Sequence, residues 1–327
     1  MSEGVLPLLV AGGDADANLH SLVRRMGERG CAVRVVQVGA RSDPAVTWDL
    51  QADELVVDGR TVRAAGAFVR YDVFTHLADP RAATAYRASA WYAALVGWLW
   101  AHPEVRLLNR GAERAMNKPF HLTLAARAGL QIPRTLVTND AARLHDESAR
   151  ARMVAKPVPG GGYCQPLDEV LASAPLRDGR AAAPAIVQNR LEQPEVRIYG
   201  VGGRFLPFAV RSDVLDYRAS KATRVEALPL DAVPAELVAG LARLMDALGM
   251  DYGAADFKTD PATGRLVFLE INSSPMFAAF DAVSGGAVSD AIIDFLLGGA
   301  ADGPPAIESP ESAELSGSTA PAAPVER

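Results

Sequence analysis

The stretch from Asp251 to Pro275, DYGAADFKTDPATGRLVFLEINSSP, constrains the fold more than any other part of the chain. Residues 253–259 and 265–272 read as strands, and Asp260-Pro261-Ala262-Thr263-Gly264 between them reads as a turn. The hairpin this predicts sets Asp256 opposite Glu270 to within about one residue of register. Glu270 and Asn272 are two residues apart and share a face. Val267, Leu269 and Ile271 are expected on the other face, packed into a core. Two carboxylates and an amide oxygen converging on one point are hard oxygen ligands. They suit Mg²⁺, which also takes phosphate oxygens from a nucleotide. The plainer alternative is an amphipathic hairpin with solvated acids. Against it, Glu270 and Asn272 end the most apolar strand of the region and run straight into Ser273-Ser274-Pro275, a costly place for a charge with no partner.

At 327 residues the chain is long enough for two or three domains with real cores. Its net charge is −6, and residues 301–327 hold five acids and one arginine, so the remainder is close to neutral. That balance argues against a nucleic-acid partner. The only cysteines, Cys31 and Cys164, lie far apart, which points to a reducing, cytoplasmic setting without a disulfide framework. No signal peptide is read at the start. The longest uncharged apolar run, Ala88–Ala101, spans only ~21 Å as a helix, too short for a bilayer. Its Trp91, Leu95 and Trp98 fall at helical spacing and predict a buried or interdomain helix.

Strands at 5–12 and 32–38 around a helix at 17–29 open the chain as a βαβ unit, and further strand signals lie at 54–58, 61–63 and 66–71. Residues 1–113 then form one α/β domain. Asn117-Lys118-Pro119 reads as a capped helix start, and Gly129 ends that helix. A strand at 152–157 leads to Pro159-Gly160-Gly161-Gly162. A small-residue linker at 178–184 precedes a strand at 185–189, and 195–213 reads as a hairpin turning at Gly202-Gly203. A helix at 234–248 follows. Residues 301–327, rich in Pro, Ser, Ala and Glu, are expected to be disordered.

Lys156 ends an apolar strand just before the triple glycine. A lysine there can reach phosphate oxygens while flexible glycines let backbone N–H groups close over them. The pattern is not a P-loop, and a surface lysine before a mobile loop is its plainer reading. Gln188-Asn189-Arg190-Leu191 ends another apolar strand and can read an adenine edge, with Glu195 available to a ribose hydroxyl. Arg197, Arg211 and Arg218 are candidate clamps for phosphate or carboxylate. The five histidines show no ligand or triad spacing.

The order of these features carries more than any one of them. Lys118, Lys156, Gly160–Gly162, the 188–191 strand end, Arg197, Asp216-Tyr217-Arg218, Asp256 and Glu270-Ile271-Asn272 resemble the ATP-grasp superfamily, most of all its RimK-type branch of glutamate and peptide ligases. The resemblance covers about residues 114–297. It implies an α/β ATP-grasp fold, two α+β subdomains sandwiching ATP, behind a Rossmann-like pre-ATP-grasp domain at 1–113. The ATP-grasp unit would be 114–300, with its small subdomain at about 150–195. By this resemblance Asp256, Glu270 and Asn272 correspond to Mg²⁺ ligands, with Mn²⁺ as a substitute. Lys118 and Lys156 match ATP-binding lysines, and Asn189, Arg190 and Glu195 match the nucleotide strip. Asn189 stands where many relatives have an acid, and Ala219-Ser220 replaces a Ser-Asn pair. Ile132–Asp140 and Asp216-Tyr217-Arg218 also look like graspetide synthetases, which crosslink ribosomal peptides.

The implied activity is an ADP-forming carboxylate–amine ligase working through an acyl phosphate on an amino acid, peptide or protein. Arg197 and Arg218 would stabilise the transferring group and the oxyanion. The alternatives are a graspetide-type macrocyclase making ester or amide crosslinks and an ATP-grasp phosphotransferase. The expected partners are ATP and a carboxylate-bearing small molecule or peptide, with no membrane. A homo-oligomer is left open.

Overall fold

The computed structural model describes residues 6–39, 44–74, 79, 81–112, 117–148, 152–158, 164–212 and 223–299. Gly160, Gly161, Gly162, Arg218 and the 301–327 tail, all named above, lie outside the described residues.

The chain opens with β1 (Leu8–Gly13), α1 (Ala17–Glu28) and β2 (Val33–Val38). A small antiparallel meander follows: β3 (Val46–Asp49), not among the expected strands, then β4 (Glu54–Val57) and β5 (Arg60–Thr61). Then come β6 (Gly66–Val69), α2 (Ala82–Ala101) and β7 (Arg106–Leu107). The main sheet has the order β2-β1-β6-β7 and is parallel throughout. β1 is buried on both faces, which is why it reads as a continuous apolar run. Leu9 and Ala11 pack on Leu95, Trp98 and Leu99 of α2, so the Trp-rich run is a core helix that begins six residues before its predicted start.

Next come α3 (Lys118–Arg127), β8 (Thr135–Asp140), α4 (Ala141–Ser148), β9 (Met153–Pro157), β10 (Gln165–Pro166), α5 (Leu167–Ser173) and β11 (Arg180–Asn189). Asn117 caps α3 as expected, its side chain accepting from Phe120 N at 2.9 Å. The four strands form an antiparallel sheet, β10-β9-β11-β8, whose one face buries Met153, Ala155 and Val187 against Leu144 and Leu167. The stretch 178–184 is mostly strand and not the expected linker. Asp178 and Gly179 both have positive φ (52° and 73°), and Arg177 and Arg180 bridge across them, so this pair makes a tight turn and β11 starts directly after it. This small sheet spans 135–189, against the expected subdomain of about 150–195.

The last part holds β12 (Glu192–Val201), β13 (Arg204–Arg211), β14 (Arg224–Ala227), α6 (Ala235–Ala247), β15 (Tyr252–Thr259), β16 (Leu266–Asn272), α7 (Ala278–Val283) and α8 (Ala287–Leu297). Its antiparallel sheet has the order β14-β13-β12-β15-β16. Gly202 and Gly203, at φ 54° and 87°, make the two-residue β12–β13 turn read from sequence. One face buries Val196, Ile198, Phe257, Phe268 and Ile271 under α3 and α6. On the other face, Tyr199, Val201, Tyr252 and Ala254 share a single core with Leu8, Val10 and Leu22 of the N-terminal sheet and Ile292 and Ile293 of α8. Each buried Leu or Ile there contributes about 1.5–3 kcal/mol by leaving water, so the N-terminal sheet and the large sheet are held as one body.

Candidate active site

The site lies where the sheet faces leave these cores. Side chains alternate along a strand. On β12, Tyr199 and Val201 belong to the shared core, while Glu195 and Arg197, on the same face, emerge into a cleft. On β15, Tyr252 and Ala254 are core, and Asp256 and Lys258 emerge beside them. On the small sheet, Met153 and Ala155 face the inner core, so Val154 and Lys156 face outward toward the large sheet. The two outward faces enclose a cavity of about 620 Å³.

The hairpin register is direct: Asp256 pairs with Glu270 and Ala254 with Asn272. A bulge follows, because the next pair is Phe257 with Phe268, which leaves Leu269 as the extra residue. The expected pattern therefore breaks at Leu269. Phe268 and Ile271 take the core positions, and Leu269 turns to line the cavity. The cause is packing, since Phe257 and Phe268 stack edge-on at 5.7 Å between ring centres and pin that pair inside.

Charges in the cleft are paired across strands. Arg197 donates to both Asp256 oxygens at 3.0 and 3.3 Å, with both residues nearly buried (5% and 6% exposed). Its guanidinium also lies 5.5 and 5.4 Å from the ring centres of Tyr199 and Phe280. Burial pushes the Tyr199 hydroxyl well above its ordinary pKa. Lys118 Nζ is 2.7 Å from Glu270 Oε2, and Lys258 Nζ is 3.1 Å from Glu195 Oε2. Burial pushes Lys156 below its ordinary value of 10.5. Glu270 pulls the other way and Lys118 adds to the depression.

Of the described residues named from sequence, Lys118, Lys156, Gln188, Asn189, Arg190, Leu191, Glu195, Arg197, Asp256, Glu270 and Asn272 line this one cavity. Arg211 does not; it is exposed at the end of β13. The Gln188 side chain donates to Thr135 Oγ1 at 2.9 Å, and the N–H groups of Asn189 and Arg190 donate to the carbonyls of Arg134 and Arg152, which ties the strand end to the small sheet. Sequence reasoning missed Lys258, Leu269, Met276 and Phe280. Lys258 was within reach, two residues after Asp256 on the same face. Met276 and Phe280 follow the hairpin and carry no local signal.

The donor set fits a hard divalent cation. Asp256 and Glu270 are in register, and Asn272 supplies an amide oxygen two residues on. Among the described residues no three His, Cys, Asp or Glu side chains gather for a metal, so in such a set the third protein donor would be that amide.

A comparison of the sequence with family models found no match, and one with curated proteins found none either. Solved structures do match. The ATP-grasp ligase PsnB, complexed with a minimal precursor, superposes with a TM-score of 0.69 at 25% identity over 89% of this chain and 98% of PsnB. The macrocyclase MdnC of Microcystis aeruginosa, bound with its precursor peptide MdnA, gives 0.67 at 19% identity over 89% and 99%. The VanG D-Ala:D-Ser ligase of Enterococcus faecalis gives 0.59 at 15% identity over 90% and 99%. The fold is that of the ATP-grasp ligases, and fold and cavity together define the class as ATP-dependent ligase. No helix among the described residues is long and apolar enough to cross a membrane.

Proposed function

We propose that the chain is an ADP-forming ligase that activates a side-chain carboxylate of a peptide and joins it to an amine or hydroxyl. The observation that carries this is the single cavity in which two lysines, a buried Arg–Asp pair and the Asp256–Glu270–Asn272 oxygen set converge. The likeness to PsnB, whose structures hold minimal precursor, Mg and ADP, supports the peptide and the nucleotide. In this reading residues 1–113 are a pre-ATP-grasp domain and 114–300 the ATP-grasp unit.

ATP lies between the two outward sheet faces. Gln188, Asn189, Arg190 and Leu191 border the base and Glu195 the ribose, and the sequence resemblance assigns Gly160–Gly162 to the phosphates. Lys156, short of solvent, gains from an anionic partner, and Lys118 turns from Glu270 to a phosphate oxygen. Asp256, Glu270 and Asn272 would hold Mg²⁺, which when bound neutralises phosphate charge. The substrate carboxylate oxygen attacks the γ-phosphorus, an O–P bond forms and the β–γ bridge breaks to release ADP. The amine or hydroxyl then attacks the acyl carbon and phosphate leaves. By the sequence resemblance, Arg197 and Arg218 would stabilise the oxyanion that forms in that step.

The test is an assay with ATP, Mg²⁺ and hydroxylamine, run in parallel with short acidic peptides and with free glutamate. A hydroxamate on the peptide, released with ADP and phosphate, is expected. AMP release would refute the acyl-phosphate route. Trapping with glutamate alone would move the reading to a RimK-type amino-acid ligase, and a stable phosphorylated product would move it to a phosphotransferase.

A further inference from the structure

The segment 273–278 leaves the hairpin directly after Asn272, the last metal-ligand candidate, and its Ser274, Pro275 and Met276 line the cavity. It is held through its backbone by side chains from elsewhere. Asn109 Nδ2 donates to Ser273 O at 2.9 Å and to Tyr252 O at 2.6 Å, while Asn109 Oδ1 accepts from Tyr252 N at 2.8 Å. Arg70 donates to Pro275 O at 2.9 Å and Ser274 Oγ at 3.2 Å. The hydroxyl of Tyr199 donates to Met276 O. Asn18 Oδ1 accepts from the amides of Phe277 and Ala278 at 2.6 and 2.8 Å. Three of these four clamps belong to the N-terminal α/β unit: Arg70 and Asn109 just past the carboxyl ends of β6 and β7, and Asn18 in the first turn of α1. Arg70 is fixed in turn by Asp16 at 2.7 Å, their side chains 3% and 1% exposed.

We propose that Arg70 and Asn109 are positioning residues: through the backbone of 273–276 they set where Asn272 and Ser274 stand in the cavity. A strand end held only at its own ladder frays, whereas this one is gripped by one side chain, Asn109, at Tyr252 of β15 and at Ser273 just past β16, and further along by a second, Arg70. The N-terminal unit thereby acts on the chemistry without touching the nucleotide. This rests on the ligase reading of the cavity.

Asn109 offers a clean test because its φ is +59°, a conformation glycine adopts without strain. Asn109→Gly therefore removes the clamp and leaves the backbone at ease, whereas Asn109→Ala would add strain of its own. Arg70→Lys keeps the charge beside Asp16 and removes the reach to Pro275. The readouts are Mn²⁺ affinity by electron paramagnetic resonance with saturating ADP, ADP affinity by calorimetry, and steady-state ATP turnover. For both variants we expect Mn²⁺ affinity and kcat to fall about tenfold or more, the scale seen when an outer support of a metal ligand is lost. The ADP Kd and the KM for ATP should stay near wild type. Wild-type Mn²⁺ affinity and kcat in Asn109→Gly would overturn the proposal, and that variant decides if Arg70→Lys fails to fold. Mn²⁺ affinity reads the positioning and ADP formation reads the ligase, so the two ideas fail separately: a wild-type protein that makes no ADP but loses Mn²⁺ affinity in Asn109→Gly sinks only the ligase.

Discussion

Replacing Arg197 by Met should unfold the protein more easily than its loss of contacts suggests. At 3.0 Å and an effective dielectric of about 20, the Arg197–Asp256 attraction is roughly 5 kcal/mol. Most of that offsets the cost of drying both groups, so the intact pair adds little over a neutral pair of similar shape. Removing one partner is different. Asp256 would stay in a site only 6% exposed with its principal cation gone, at a cost of about 3–5 kcal/mol. The cation–π contacts to Tyr199 and Phe280 would go as well. At roughly 2 °C per kcal/mol for a chain of this size, Tm should drop by about 6–10 °C. The double variant Arg197→Met/Asp256→Asn carries no orphan charge and should recover more than half of that loss, although it removes one more polar group. Calorimetric melts of the two single variants, the double variant and wild type close the cycle. A single variant within about 1 kcal/mol of wild type, or a double variant whose losses simply add, would refute the buried-charge argument.

Glu270→Gln keeps shape and leaves Asp256 as the one carboxylate of the proposed metal set, so kcat for ADP formation should fall at least about a hundredfold, as when a preorganised group facing developing charge is removed; a quench assay at saturating Mg²⁺ checks it. Lys156 gives a pH signature. Its folded-state pKa is lowered, so its charged form costs stability that is regained as pH rises through that value, and a bound phosphate raises the pKa again. ADP binding should therefore take up protons on the alkaline side and weaken as pH approaches 10.5, and calorimetry in buffers of different ionisation heat should show the effect vanish in Lys156→Met. A chain ended at Gly299 should melt within about 1 kcal/mol of the full chain, because residues 301–327 hold few large apolar side chains to offset their ordering entropy.

Much of the site could be read from residues close together in the chain. The alternation of 266–272, the Asp260–Gly264 turn and the Asn117 cap are local signals, and each specifies its element without help from distant parts. They sufficed to put Asp256, Glu270 and Asn272 on one face and Lys118 at a helix start. Other features depended on partners that no local pattern names. Leu269 reaches the cavity because Phe257 and Phe268 pair inside the core and force a bulge between them. Arg197 meets Asp256 across 59 residues because β12 and β15 pair in one register. Arg70 reaches Pro275 across 205 residues because the N-terminal sheet and the large sheet bury their apolar faces in one core. Short-range steric and hydrogen-bonding preferences act within a few residues and are legible there, whereas the burial of shared apolar surface is decided between whole sheets, and only that decision brought these charges together.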